Sequence, residues 1–491
     1  MSGMLLLQFY DDVSDREAAE RLLFDLRWKV ALRLPLDYAG FDPSSLSYFR
    51  KRLVDNGQER YAFDRLLAVG RTGGFIPDKV TLLTDTTWVK GAGAIQDTYT
   101  LLRKGIRKLL RTLGYATPNK RGHLSDAARK LIATYLDEDR KADIDCTDPQ
   151  QRAQQLKVLV QDAEAALDIA GEHSHQADVR AIGWMLTKIL GDDIVSDEHG
   201  APQIGEGTAP DRIISITDPE MRHCRKSQAQ RFDGFKAAVA TEPESELILD
   251  VADVPAAGGD GEHLLPAIQR VEQHAGVTVE RVIGDGAYGS GENLAACANY
   301  PQHPFDLVAP QAHPNDPEVD KSAFQIDLQA KTAKCPEGHT VRGTAACTHG
   351  RPALQFRFAR ATCEACPLFT RRVRGTASGR TVTTDDYEPY RQAARQHQKT
   401  DEFRTLYRLR SRVERKQAEL VDHGLCHTWY LGQTKRQLQR LWTTAAINLK
   451  RLFRLADNRH FELRPLFGQA GQAPALWEQG ARRKVKPTRS G

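Results

Sequence analysis

The sequence predicts a mixed α/β fold, in which a sheet begins as an antiparallel hairpin and continues through helical crossovers into parallel strands. The first strand is indicated by an apolar, β-branched run over residues 79–90. Two apolar runs at residues 235–240 and 246–251 are separated by a short polar link, which is typical of a hairpin. Two more runs, at residues 279–289 and 305–309, follow or precede helical patterns, which favours parallel crossover connections.

Helical patterns dominate the chain before the first strand, over residues 1–75. Apolar residues recur at helical spacing over residues 15–29 behind Ser14, a typical N-terminal cap. A second helix is predicted from Ser44, where serines are followed by basic residues that would suit contacts with phosphates. We expect a helical DNA-binding or dimerisation domain here, and a helical packing module is an equally good alternative.

A long helical block, residues 97–205, follows the first strand. It opens with a basic amphipathic helix at residues 100–110 and continues with acidic helices. Strand patterns resume only at residues 212–217, so the block is predicted to be an insertion between two strands of one sheet. Further helices are predicted at residues 263–274 and from Gly291, between the later strands.

The rest of the chain contains three kinds of segment. Residues 311–390 are polar and predict a loop-rich region that contains a cluster of cysteines. Helical patterns return at residues 389–453. The last residues, 461–491, are rich in glycine, proline, alanine and basic residues, and they predict a disordered tail.

Length and composition limit the possible classes of protein. A chain of 491 residues is too long for one ordinary hydrophobic core, so two or three domains or large insertions are expected. The hydrophobic fraction of 40% is ample for folding. No apolar run is long enough for a membrane span and the start lacks a secretory pattern, so we expect a soluble protein that is not exported.

The charge is unevenly distributed along the chain. The formal net charge is only +5, because 69 basic residues stand against 64 acidic ones. The basic clusters lie at residues 103–111, 404–416, 435–454 and 482–486. Such clusters favour a polyanion such as nucleic acid as the partner, although any one of them could be the solvated face of a helix.

Three carboxylates stand in unusual surroundings. Asp85 lies within the apolar first strand, Asp285 ends an apolar run inside a glycine-rich turn, and Glu414 lies in a strongly basic helical segment. Burying a lone carboxylate is costly, so a metal ion, a basic partner or a hydrogen-bond network has to compensate Asp85. The residues alone leave a second interpretation open, in which Asp285 caps a turn and Glu414 pairs with Arg410.

The motifs around these acids resemble the three acidic signatures of bacterial insertion-sequence DDE transposases. They are Leu83-Thr84-Asp85-Thr86-Thr87, Gly284-Asp285-Gly286-Ala287-Tyr288 and Tyr407-x-x-Arg410-x-x-x-Glu414. The third motif would put its three residues on one helical face. In the family a lysine usually follows seven residues after the glutamate, where this chain has Val421. Residues 5–9, 14–18, 91–99 and 446–452 also resemble family segments, so the resemblance covers most of the chain.

The resemblance implies a fold and a division into domains. It implies an RNase H-like mixed sheet with the first aspartate on the first strand, the second at the end of the fourth, and the glutamate on a later helix. The implied parts are the N-terminal helical domain (1–75), the core (76–310, with the helical insertion 97–205), a cysteine-containing insertion before the catalytic helix (311–390), the catalytic and C-terminal helices (391–460) and the basic tail (461–491).

The resemblance also implies a function. We expect metal-dependent cleavage and strand transfer of DNA, with recognition of the element's terminal inverted repeats. Asp85, Asp285 and Glu414 would be the catalytic residues and would hold two Mg²⁺ or Mn²⁺ ions. The residues expected to contact DNA are Tyr407, Arg410, Arg415 and Lys416.

The resemblance implies partners and a location as well. The partners would be double-stranded element ends and target DNA, bound by a homodimer that is cytoplasmic in a bacterium and associated with the nucleoid. Two alternatives remain. One is a catalytically silent, transposase-derived DNA-binding protein, and the other is a nuclease that uses the same core without strand transfer.

Four of the eight cysteines crowd one short segment, which favours a metal site in a reducing compartment over a disulfide scaffold. Cys363 and Cys366 form a CxxC pair, and Cys335 with either His339 or Cys347 could complete a tetrahedral Zn²⁺ site. We predict the set Cys335, Cys347, Cys363 and Cys366. In similar proteins a further cysteine often follows the pair, at the position of Arg372 here, so reduced thiols without metal are an equal alternative.

Overall fold

The structure is a computed structural model. It describes residues 1–463 except 123, 139–146, 208, 210, 226–229, 313–315, 317, 319, 349 and 373–378. The predicted disordered tail therefore lies outside the described residues, apart from residues 461–463. None of the helices in the described ranges combines the length and the apolar character that crossing a membrane would require.

The chain before the first strand is helical, as predicted, but it forms five helices, and the helix predicted over residues 15–29 is divided in two at Asp25. The five helices are α1 (Ser2–Asp11), α2 (Asp15–Phe24), α3 (Leu26–Leu32), α4 (Ser44–Asp55) and α5 (Tyr61–Thr72). The hydroxyl of Ser14 accepts a hydrogen bond from the Glu17 N–H at 3.2 Å, so the predicted cap of α2 is confirmed.

The first strand and the predicted helical block follow. Strand β1 (Lys79–Lys90) leads to α6 (Thr98–Thr112), α7 (Asp126–Ile132), α8 (Pro149–Gly171) and α9 (Ala177–Asp193). A short hairpin of β2 (Ile194–Ser196) and β3 (Pro202–Ile204) ends the block. The described helices of the block pack on a hydrophobic core of their own.

The next segment completes the central sheet. Its elements are β4 (Arg222–Arg225), β5 (Arg231–Thr241), β6 (Ile248–Val254), α10 (Leu264–Ala275), β7 (Thr278–Ile283), α11 (Gly291–Ala298) and β8 (Asp306–Val308). The strand that was predicted at residues 212–217 is wrong, and the short β4 takes its place in the order. Residues 211–217 have no regular structure, and their isoleucines are buried against two neighbouring cores, which explains the apolar pattern.

The sheet is mixed, with the spatial order β6-β5-β1-β7-β8 and with β4 paired to the start of β5. Strands β5 and β6 are antiparallel neighbours, and β5 is also antiparallel to β1. Strands β1, β7 and β8 are parallel; α10 connects β6 to β7, and α11 connects β7 to β8. This mixed α/β arrangement is compatible with an RNase H-like fold.

The cysteine-containing segment is richer in strands than predicted. It contains β9 (Gln325–Asp327), β10 (Thr332–Lys334), β11 (Thr340–Arg342), β12 (Thr344–Thr348), β13 (Arg351–Arg357), α12 (Arg360–Glu364), α13 (Phe369–Arg372) and β14 (Thr381–Thr384). The strands form two small antiparallel sheets, β11-β10-β9 and β12-β13-β14.

Four helices end the described chain: α14 (Glu388–Gln398), α15 (Asp401–Arg408), α16 (Ser411–Leu420) and α17 (Gln433–Asn458). Helix α17 covers the open edge of β6. The amide of Asn448 bonds both the N–H of Ile248, at 3.0 Å, and its C=O, at 2.7 Å. The amide of Gln437 does the same for the Asp253 N–H and the Val251 C=O, at 2.7 Å each. Side chains of one helix thus satisfy backbone groups that an edge strand would otherwise expose.

One large core joins the N-terminal helices, the sheet and α17. It includes Leu67 of α5, Val239 of β5 and Trp442 of α17, whose indole N–H donates to the Glu59 carbonyl at 3.0 Å. The predicted boundary near residue 75 therefore does not separate two hydrophobic cores.

Candidate active site

The register of the sheet places the two aspartates side by side, just beyond the point where the pairing of β1 with β7 ends, although β1 itself continues to Lys90. Leu83 of β1 pairs with Ile283 of the parallel β7, and each aspartate follows two residues later. Both paired residues pack in a small cluster with Val413 of α16, which directly precedes Glu414. The fold therefore brings the three predicted acids to one region, at the carboxyl end of the parallel strands.

Arg410 links two of these acids. Its guanidinium donates to Asp85 Oδ2 at 3.0 Å and to Glu414 Oε1 at 2.5 Å. The Asp85 side chain is only 12% exposed, whereas that of Glu414 is 54% exposed. The ion pair between Arg410 and Glu414 that the sequence left open is thus present. The same guanidinium also forms an ion pair with Asp85.

The surroundings of Asp85 disfavour its charge. Burial raises its pKa to about 6, and the Arg410 charge and a 2.9 Å hydrogen bond from the Thr86 N–H oppose that rise only in part. The negative charges of Asp285 and Asp260 add to the rise. A carboxylate that is both buried and close to other carboxylates favours a bound cation.

Asp285 lies at a tight turn after β7. Its Oδ1 accepts a hydrogen bond from the Ala287 N–H at 2.9 Å, which is the turn-capping contact that the sequence allowed. Gly284 is required before it, since a Cβ there would lie 2.8 Å from the ring of Tyr288. This ring is buried below the turn.

Tyr407 and Glu414 belong to two helices, so the prediction of one helical face is wrong. Helix α15 ends at Arg408 and α16 begins at Ser411, with Arg410 between them. Tyr407 still faces the acids. Burial raises its pKa, the Arg410 charge opposes this, and Asp285, Glu414 and Asp85 raise it further.

Arg415 and Lys416 point to other partners than the acids. Arg415 pairs with Glu246 of the β5–β6 hairpin at 2.7 Å. Lys416 is buried and pairs with Glu419 at 2.8 Å. The structure does not bring either of these predicted DNA contacts to the candidate site.

The sequence interpretation overlooked Asp260 and Lys236. Asp260 follows β6 in a glycine-rich turn, and its charge acts on Asp85. Lys236 of β5 lies 2.7 Å from Asp260 and 4.7 Å from the centre of the Trp88 ring. A search for acids in glycine-rich turns after apolar runs would have found Asp260, because Asp285 has the same context.

The donor chemistry of the site fits a hard cation, although the side chains do not converge on one. Among the described residues, no three or more His, Cys, Asp or Glu side chains form a group that could hold a metal ion. Asp85, Asp285 and Glu414 offer only oxygen ligands, which Mg²⁺ prefers. Because Arg410 lies between two of these acids, a cation bound there would replace the guanidinium as the partner of Asp85.

Three of the four predicted cysteine ligands line one cavity. A cavity of about 20 Å³ is lined by Cys335, His339, Cys363 and Cys366, and by Glu337 and aromatic rings. A space of roughly 10–15 Å³ is enough for one water-sized particle. Cys347 is exposed on β12 and does not line it. The structure therefore favours His339 over Cys347, the alternative that the sequence had left open.

Comparison with known families gives two matches. A family described as Transposase DDE domain matches residues 334–453, from the cysteine segment through α16 to α17. A family described as Transposase domain (DUF772) matches residues 1–52. Neither curated proteins nor solved structures give a match. The predicted resemblance to insertion-sequence DDE transposases is confirmed, and a DDE domain supports an enzyme of the transposase or nuclease type. Of the three acids, Glu414 lies within the matched residues.

Proposed function

We propose that this chain, which matches two transposase families, is a DDE-type transposase that cuts and joins DNA at the ends of an insertion sequence. The observation that carries the proposal is the meeting of two aspartates, on β1 and just after β7, with Glu414 beside a single arginine. Three parts of the chain, more than 100 residues apart in sequence, supply these groups.

The proposed catalytic residues are Asp85, Asp285 and Glu414, which would hold two Mg²⁺ or Mn²⁺ ions. When bound, such ions activate the attacking oxygen and stabilise the leaving oxygen of a phosphodiester. Arg410 contributes a positive charge beside the scissile phosphate once the carboxylates have another partner, and the hydroxyl of Tyr407 can donate to a phosphate oxygen. The rigid pairing of β1 with β7 keeps the two aspartates in place while the substrate enters.

The proposal includes the partners. The substrate would be double-stranded DNA with terminal inverted repeats, and a homodimer would hold two ends together. The N-terminal helices are the part that we propose to contact the ends or the second subunit. Their shared core with the sheet would transmit that contact to the candidate active site.

The test is Mg²⁺-dependent cleavage of a plasmid that carries the ends of the element. We expect end-specific cleavage that stops with a chelator and is lost in Asp85→Asn, Asp285→Asn and Glu414→Gln. The control is Asp457→Asn, which neutralises an exposed acid near the end of α17 and should leave cleavage unchanged. Binding of the ends without cleavage by the unchanged protein would support the silent DNA-binding alternative instead.

A structural zinc ion is a separate part of the proposal. We infer that Cys335, His339, Cys363 and Cys366, which line the small cavity without yet converging on one point, move together to hold one Zn²⁺ and thereby stabilise a segment with few buried residues. Purified protein should contain one equivalent of zinc by elemental mass spectrometry. Cys363→Ser should lose it and Cys347→Ser should keep it, while equal zinc content in both variants would contradict this ligand set.

A further inference from the structure

A wide groove adjoins the candidate active site. Its volume is about 1760 Å³, well above the roughly 300–1,000 Å³ of small-molecule pockets, so it suits a polymer. One wall is formed by the β9–β11 sheet of the cysteine-containing segment, and the other by α14 and α15. The groove reaches Tyr407, which lies close enough to the three acids for their charges to raise the pKa of its hydroxyl.

The two walls are held in a fixed relation. Glu388 of α14 is almost fully buried, and it pairs with Lys321 of the cysteine-containing segment at 2.6 Å and with Arg395 at 3.1 Å. The N–H of Gln311 donates to the side chain of Gln398 at 2.7 Å, which ties the chain after β8 to the end of α14. The groove is therefore a built feature and not a gap between loose parts.

The charges in the groove favour an anionic occupant. Five basic residues line it, against two acidic ones. The basic residues are Lys334, Arg395, Lys399, Arg404 and Arg408. Within the part of the chain that the structure describes, the side chains of Lys334, Lys399 and Arg408 are exposed and form no ion pair or hydrogen bond. Cations without a protein partner on both walls are what a phosphate backbone would neutralise.

Aromatic rings form a second feature of the groove. The rings of Phe403 and Tyr407 stack at 5.6 Å with an interplanar angle of 14°, and His397 meets Phe403 edge-on at 5.5 Å. Phe403 is buried, so Tyr407 is the ring that remains half-exposed at the end nearest the acids. A basic groove that ends on an accessible aromatic ring is typical of single-stranded nucleic acid sites, because unpaired bases stack on such rings.

We propose that this groove binds a single strand of DNA beside the reacting phosphate. The inference rests on the proposed function for its purpose, because a strand that is cut or held open at an element end has to leave the acids along some path. The groove offers that path, with phosphates on Lys334, Lys399 and Arg408 and a base on Tyr407. Duplex DNA would be bound elsewhere on the protein.

The experiment uses the full chain and a fluorescein-labelled 30-nucleotide oligo-dT, with a labelled mixed-sequence duplex of 30 base pairs as the comparison. Binding is followed by fluorescence anisotropy over a range of salt concentrations, without Mg²⁺. We expect Lys334→Ala/Lys399→Ala to weaken binding of oligo-dT at least tenfold. The slope of log affinity against log salt should fall by about 1.4, since each lost phosphate contact to a single strand contributes about 0.7.

The matched control is Lys157→Ala, which removes an exposed lysine from α8 in the helical block. It should bind both probes as the unchanged protein does. Equal binding of oligo-dT by the control and the double variant would overturn the groove proposal, and so would an equal loss of duplex binding in the double variant. A protein that binds oligo-dT through the groove but never cleaves its ends would refute the proposed function and leave the groove standing.

Discussion

Asp85 is the residue in which fold and function conflict most directly. Its strand supplies apolar neighbours that stabilise the sheet, and the same neighbours desolvate its carboxylate, so that its pKa rises to about 6. The Arg410 guanidinium, 3.0 Å from the Asp85 carboxylate, compensates this desolvation only in part. A residue that destabilises its own strand in this way is easiest to understand as one that is kept for a charged partner.

Replacing Asp85 with asparagine should therefore stabilise the metal-free protein. A rise of the pKa from 3.8 to about 6 means that the folded state holds the proton more tightly than the unfolded state, so ionisation destabilises the fold. This cost is absent below about pH 4, grows as the pH rises to about 6, and is constant above. It amounts to about 2 to 3 kcal/mol, which Asp85→Asn should recover at pH 7.5.

Urea unfolding with a chelator present, at pH 4 and pH 7.5, measures this effect. The gain should be seen at pH 7.5 and should nearly vanish at pH 4. Asp457→Asn is again the matched control, and it should change the free energy of unfolding little at either pH. A variant that is less stable than the unchanged protein at pH 7.5 would mean that the ion pair with Arg410 outweighs the burial of Asp85.

The residues of the site could be predicted from the sequence to a large extent. Asp85, Asp285 and Glu414 were found because a carboxylate in an apolar run or a glycine-rich turn is rare, and their motifs match a family. The ligand choice between His339 and Cys347 could not be made from spacing. It depends on the fold, which places His339 in the turn before β11 beside the cavity and Cys347 on β12 away from it.

Helix α17 stabilises the edge of the sheet through side chains that bond the backbone of β6. The Asn448 side chain is 1% exposed and satisfies both backbone groups of Ile248 at the edge of β6. Asn448→Ala would leave a buried N–H and a buried C=O without partners, at a cost of about 1 to 3 kcal/mol for each. We expect a loss of about 2 to 6 kcal/mol in the free energy of unfolding.

Chemical denaturation with a matched variant checks this prediction. Gln433→Ala removes an exposed amide from the same helix and should cost less than about 0.5 kcal/mol. An Asn448→Ala protein as stable as Gln433→Ala would show that water replaces the amide at this strand edge.

At the scale of elements, short and polar strands were the hardest to predict. Strands β9 to β11 have only three residues each, with a single apolar residue between two polar ones, so each is too short for its alternation to stand out in the sequence. The opposite error occurred at residues 212–217, where isoleucines gave a strand pattern in an irregular stretch. Ile214 packs on the main core, and Ile213 and Ile216 pack on the core of the helical block. Apolar runs report burial and not conformation.

The residues that the structure describes form two large hydrophobic cores, one of which extends over much more of the chain than the other. The main core runs from α1 through the sheet to α17, and the second is confined to the helical block and residues 211–217. Polar contacts join the two ends of the block, since Asp193 accepts hydrogen bonds from Thr98 at 2.8 Å and from Arg212 at 2.6 Å. Because the block has its own core and its two ends are joined by these hydrogen bonds, it should unfold as a separate cooperative unit.

We therefore predict that the block can be destabilised without the sheet. Leu186 of α9 is fully buried in the second core, and Leu186→Ala should cost about 2 to 5 kcal/mol, seen as faster hydrogen exchange in the described helices α6 to α9. Leu67→Ala, which removes an equally buried leucine from the main core, should instead speed exchange in both the N-terminal helices and β1. Hydrogen exchange followed by mass spectrometry resolves these segments. If Leu186→Ala lowered the protection of β1 as much as that of α9, the two cores would be one cooperative unit. Confinement of the loss to α6 to α9 would mean that the block can loosen or tighten on a partner while the paired aspartates of β1 and β7 stay in register.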